Sequence, residues 1–151
     1  MWKTLLGWSA AVVTSAVSGS VVQSQINLAA ISRLDQSIAV SDRLDMTLFD
    51  LGSFGPLWGA IVAFAFLLAW PIAGLLARKW LTWRWFLFPL AGFVAIICAL
   101  LVMNAAMPVT VVAAARTVPG MVMLGLCGAL GGWVYLQVAG AAARQRQKGQ
   151  I

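Results

Sequence analysis

Long uncharged apolar segments alternate with shorter polar ones along this chain. Three of them, at about residues 56–77, 85–107 and 118–143, hold almost only apolar side chains, and a weaker one covers about residues 5–26. A helix of about 20 residues at 1.5 Å per residue crosses the roughly 30 Å hydrocarbon core of a bilayer. The pattern therefore predicts an all-α integral membrane protein, an antiparallel bundle of four transmembrane helices in a single domain.

The first apolar segment is open to two interpretations. Lys3, an apolar stretch and the small residues Ala16 and Ser18 resemble a signal peptide with its cleavage site. Small residues also recur in this segment at every fourth position, which places them on one helical face where another helix can approach closely: Gly7, Ala11, Ser15 and Gly19. We interpret the segment as a retained first span with a packing face.

The positive charges predict which side of the membrane each connection occupies. With the N-terminus in the cytoplasm, seven basic residues lie inside and three lie outside, and the opposite orientation would reverse this ratio. This places a turn at 78–84 and a tail at 144–151 in the cytoplasm, and a loop at 27–55 outside. We expect a plasma membrane or a bacterial inner membrane, with both termini cytoplasmic.

The predicted external loop holds every carboxylate side chain of the chain: Asp35, Asp42, Asp45 and Asp50. Several carboxylates together can bind a hard cation, but their spacing does not match an EF-hand loop. A solvated acidic surface with local pairs to arginine is the favoured interpretation. We predict no metal site.

Part of the same loop has the pattern of a short helix. Ser41 is a suitable N-cap, and Leu44, Leu48 and Leu51 follow at the spacing of one helical face. The glycines and proline at 52–56 are expected to end this helix before the second span begins. The prediction is an external amphipathic helix that lies on the membrane or covers the bundle.

Composition and charge support a membrane protein and exclude several classes. Hydrophobic residues make up 62% of the chain, charged residues only 9%, and the mean hydropathy is +0.94. The net charge of +6 comes from residues at the ends of the apolar segments, so we predict contact with lipid headgroups and not with nucleic acid. Basic and aromatic residues alternate in the cytoplasmic turn and predict a membrane-interface anchor: Arg78, Lys79, Trp80, Trp83, Arg84 and Trp85.

Other functional classes lack the residues they need. The chain has no histidine, and no Asp, Glu, Lys or Arg lies inside the last three spans, which argues against haem, zinc and proton-coupled transport. Small multidrug transporters also have four spans, but their intramembrane glutamate has no counterpart here. Cys98 and Cys127 are interpreted as small buried apolar residues in helices. We expect no enzyme activity and no cofactor.

Polar side chains, neutral except for one arginine, concentrate near the predicted outer ends of the spans. Gln23 and Asn27 are in the first helix, Asn104 is in the third, and Arg116 precedes the fourth. Hydrogen bonding between helices is the favoured interpretation. The alternative is an outward-opening pocket for a lipid or a small lipophilic molecule.

The fourth span carries a GxxxG step at Gly128 and Gly132. Such a step allows close helix packing, either within the bundle or against a partner. The leading hypothesis is a non-enzymatic accessory or structural subunit that packs against another membrane protein or a second copy of itself. The alternative is a carrier or binding protein for a lipid.

Overall fold

The computed structural model describes residues 2–32, 40–106 and 112–148, and all regular structure in these ranges is helical. The four α-helices are α1 (Trp2–Ser32), α2 (Val40–Lys79), α3 (Arg84–Ala106) and α4 (Val118–Lys148). Two 3₁₀ turns, Leu81–Trp83 and Ala113–Arg116, precede α3 and α4. All four α-helices are long and apolar enough to cross a membrane.

The helices pack as a bundle in which α1 contacts α2 and α4, and α3 contacts α4 and, less extensively, α2. Partners along α1 follow a regular order. A Cβ at Gly7 would lie 3.2 Å from Tyr135, Ser15 Oγ donates to the carbonyl of Cys127 at 3.0 Å, and Gln23 reaches Ala114. Residues later in α1 thus contact residues that come earlier in α4 or in the turn before it.

The backbones of α3 and α4 touch where glycines face each other. A Cβ built on Gly128 would overlap the carbonyl oxygen of Gly92, and one on Gly132 would overlap that of Phe88. On another side of α4, a Cβ on Gly131 would lie 2.9 Å from the carbonyl oxygen of Ala11 in α1. The GxxxG step therefore lies inside the bundle, where its missing side chains allow α3 and α4 to approach.

Aromatic rings from three helices fill the core. Trp70 of α2 stacks on Phe66 with 4.6 Å between ring centroids and on Tyr135 of α4 at 4.4 Å. Phe88 of α3 lies 5.0 Å from the same tyrosine ring. All four rings are buried, and they come from three helices. This aromatic cluster therefore joins α2, α3 and α4 at one level of the bundle.

The sequence correctly predicts a helical segment after Ser41, but the predicted break at 52–56 is wrong. This segment is not a separate helix, because α2 runs without interruption through Pro56 and is 40 residues long. Proline disfavours a helix interior, but tertiary packing can outweigh that preference. Here α2 contacts α1 on both sides of the proline, through Asp50 before it and Trp58 after it.

Two other helices also exceed their predicted bounds. The first helix continues to Ser32, so residues 27–32 of the predicted external loop are helical, and α4 continues to Lys148. The start of α4 has a local cause, since Thr117 Oγ1 accepts a hydrogen bond from the Gly120 N–H at 3.2 Å and so caps the first turn. Asp35 lies outside the described residues.

Candidate functional site

One end of the bundle carries Asp42, Asp45 and Asp50, and we call it the acidic end. The other carries Arg78, Lys79 and Arg84, and we call it the basic end. The described aspartates, with Arg43 among them, are thus separated from Arg78 and Lys79 along α2, a helix about 60 Å long. That is about twice the thickness of a bilayer core.

A buried polar cluster lies where α1, α2 and the turn before α4 meet at the acidic end. Gln23 Oε1 accepts a hydrogen bond from the Ala114 N–H at 3.2 Å, and Ser24 Oγ donates to Asp50 Oδ2 at 2.6 Å. Ser20 is 1% exposed, and its hydroxyl has no hydrogen-bond partner in the described residues. Polar groups buried in this way fix how the helices meet, because breaking one bond leaves a desolvated group unpaired.

The structure places the predicted pocket residues in different surroundings. Gln23 is buried and bonded to backbone, Asn27 and Asn104 are half-buried, and Arg116 is exposed at the end of its turn. Gln23 and Arg116 lie at one junction, since Ala114 is part of the same 3₁₀ turn. The bond of Gln23 matches the favoured interpretation of hydrogen bonding between elements.

The acidic side chains also differ in their surroundings. Asp42 and Asp45 are exposed, whereas Asp50 is half-buried against Ser24. Within residues 2–32, 40–106 and 112–148, no three His, Cys, Asp or Glu side chains form a group that could hold a metal ion. Asp50 thus links α2 to α1 through Ser24.

The segment of α2 before Pro56, residues 40–55, is called the α2 overhang below. Its inner side contacts α1, where Gln25 Nε2 donates to Thr47 Oγ1 at 3.3 Å. Its outer side is apolar, with Leu44 61%, Leu48 65% and Phe49 74% exposed. The predicted leucine stripe thus does not cover the bundle but faces outward, and Leu51 is half-buried. Exposed apolar surface of this kind is typical of a protein or membrane contact.

At the basic end the predicted interface anchor is exposed on α2, α3 and the turn between them. This set consists of Arg78, Lys79, Trp80, Trp83, Arg84 and Trp85. Trp83 packs edge-on against Phe86 at 6.3 Å, so the turn has some internal order. The arrangement suits the headgroup level of a bilayer.

An open apolar groove of about 870 Å³ lies between α2 and α3, the two neighbouring helices with the least contact. Small side chains form its more buried floor: Ala65, Ala69, Ala73, Ala91, Ala95 and Ala99. Larger exposed side chains form its rim, among them Phe64, Leu68, Ile72, Leu90 and Val94. Cys98 lines it and is exposed, so its predicted burial is wrong, whereas Cys127 is buried.

Comparison of the chain with protein-family models, curated proteins and solved structures found no match. Its function must therefore be inferred from its own residues. Sequence reasoning missed the groove, although the alanines at every fourth position of α3 were a signal for it. Such a repeat can mean close packing or a gap, and only the positions of α2 and α3 distinguish the two.

Proposed function

We propose that this protein is a non-enzymatic membrane subunit that docks onto another membrane protein through the α2 overhang. The observation that carries the proposal is the outward apolar surface of Leu44, Leu48 and Phe49 on a segment that is longer than a membrane span requires. Asp42 and Asp45 are exposed on the same segment. The matching partner surface is an apolar groove with a basic rim.

The proposed arrangement is an antiparallel four-span bundle in a plasma membrane or a bacterial inner membrane. The order of the contacts along α1 supports antiparallel neighbours. The excess of basic residues at the ends of the spans supports a cytoplasmic basic end with both termini inside. The acidic end and the α2 overhang then face the outside.

The proposed orientation predicts which cysteines a membrane-impermeant maleimide reaches in intact cells. Ser41→Cys replaces an exposed residue near the start of α2, and Thr82→Cys replaces one in the turn after its other end. Both are made with Cys98→Ser to lower the background. We expect labelling at position 41 in intact cells and at position 82 only after the membrane is opened. Labelling at 82 in intact cells with protection at 41 would show the reverse orientation.

The GxxxG step does not serve as the partner face in this proposal. Gly128 and Gly132 are buried against α3, so their packing is used within the chain. Gly7, Ser15 and Gly19 likewise face other helices of the bundle. The overhang is the better candidate for docking, because its apolar side chains are exposed.

The double variant Leu44→Ser and Leu48→Ser tests the docking surface. Both side chains are exposed, so the bundle should fold, whereas association with the partner should weaken at least about tenfold. The measurement is the size of the complex after mild detergent extraction, by native electrophoresis. Leu5→Ser with Leu6→Ser, at comparably exposed positions near the basic end, is the control that should keep the complex. An unchanged complex in the overhang variant would refute the docking surface.

A lipid carrier or binding protein remains the second candidate, and a different feature now favours it. Gln23 of the predicted polar pocket is engaged with backbone. The apolar groove between α2 and α3 is open instead, and its lining suits a hydrocarbon chain.

A further inference from the structure

The groove between α2 and α3 has the shape of a site for an acyl chain. Its floor of alanines is recessed below a rim of larger side chains, so an occupant is contacted on more than one side. It extends from Ala60 to Leu76 along α2, about 24 Å. An acyl chain that enters at one end and reaches the bilayer midplane needs about 15 Å of it.

The end of the groove determines which lipid it favours. Leu76 of α2 and Leu87 of α3 line this end of the groove. Within three residues, Arg78 and Lys79 follow Leu76, and Arg84 precedes Leu87. All three cations are exposed. The nearest carboxylate along α2 is Asp50, about 42 Å from Arg78 along the helix axis. The positive charge at this end is therefore not neutralised by Asp42, Asp45 or Asp50, the aspartates that the structure describes, and it complements an anionic headgroup.

We infer that the groove binds one acyl chain of an anionic phospholipid whose headgroup lies on Arg78, Lys79 and Arg84. The inference goes beyond partner docking and uses the opposite end of the molecule, although it shares the proposed membrane orientation. A zwitterionic phospholipid, which has no net charge, fits the groove equally well but is attracted less strongly to these cations. Binding of the chain and selection of the headgroup are thus separate properties, carried by different residues.

Native mass spectrometry of the purified full chain, incubated with equal amounts of dioleoyl phosphatidylglycerol and dioleoyl phosphatidylcholine, tests the site. We expect the anionic phosphatidylglycerol to be retained at least about fivefold more than the zwitterionic phosphatidylcholine. The triple variant Arg78→Gln, Lys79→Gln and Arg84→Gln should lose this preference and still bind both lipids. Arg43→Gln, at the far end of α2, is the matched control and should keep it.

Filling the groove tests the binding of the chain. Ala69→Leu on α2 and Ala91→Leu on α3 each occupy part of the groove floor and should reduce retention of both lipids. Ala105→Leu, an exposed position of α3 outside the groove, should not. Helix content and a single elution peak show that each variant is folded.

Equal retention of the two lipids by the unaltered chain would overturn the inference, and so would unchanged retention in folded Ala69→Leu or Ala91→Leu. The purified chain is measured without a partner. Failure here therefore leaves the docking proposal standing, and failure of docking leaves the lipid result unaffected.

Discussion

Replacing Gly128 with alanine should destabilise the bundle by about 3 kcal/mol, near the upper end of the usual cost of overpacking. The added methyl group would overlap the carbonyl oxygen of Gly92 and lie 2.6 Å from Ile96 Cγ1. A side chain can rotate away from such an overlap, but a backbone carbonyl cannot. Helices α3 and α4 would have to separate, and the contacts along their shared face would weaken.

Gly74→Ala is the matched control, because a Cβ at Gly74 meets nothing within 4 Å. This change should leave the free energy of unfolding unchanged or raise it by at most about 1 kcal/mol, since alanine favours a helix interior more than glycine does. The measurement is unfolding of both variants in mixed micelles with increasing sodium dodecyl sulfate. Equal stability of the two variants would contradict the close contact of α3 and α4.

Replacing Trp70 with alanine should destabilise the bundle by about 2–4 kcal/mol. The change removes a side chain that is 7% exposed, together with its stacking on Phe66 and Tyr135. A large aromatic residue in a water-soluble core costs about 3–5 kcal/mol when truncated to alanine. The expected value is lower here, because a micelle keeps the side chain in apolar surroundings after unfolding.

Trp85→Ala provides the comparison for Trp70, because Trp85 is 72% exposed. We expect this change to lower the free energy of unfolding by less than about 0.5 kcal/mol in the same experiment. If Trp70→Ala were as mild as Trp85→Ala, the aromatic cluster would not be part of the core.

The number and approximate position of the helices could be predicted from sequence, because an apolar segment of about 20 residues is a strong signal in one dimension. The bounds 85–107 differ from α3 (Arg84–Ala106) by one residue at each end. Continuity of α2 through Pro56 could not be predicted, since it depends on contacts with α1 that local residue preferences do not contain.

The roles of small and exposed residues were also only partly predictable. A GxxxG step indicates a close approach but not which helix approaches, and here Gly128 meets Gly92 inside the same chain. The spacing of Leu44 and Leu48 correctly placed them on one face of a helix. Whether that face covers the bundle or points away from it depends on the direction of α2 relative to α1, which the hydrophobic pattern does not define.

The most direct test of the docking proposal is site-specific photocrosslinking in intact membranes. A photoreactive amino acid replaces Leu48 on the overhang, 65% exposed, or Val13 on α1, 61% exposed. We predict one discrete protein adduct from position 48 and none from position 13, where lipid should be the neighbour. The absence of a protein adduct at position 48, or the same adduct from both positions, would contradict docking through the α2 overhang.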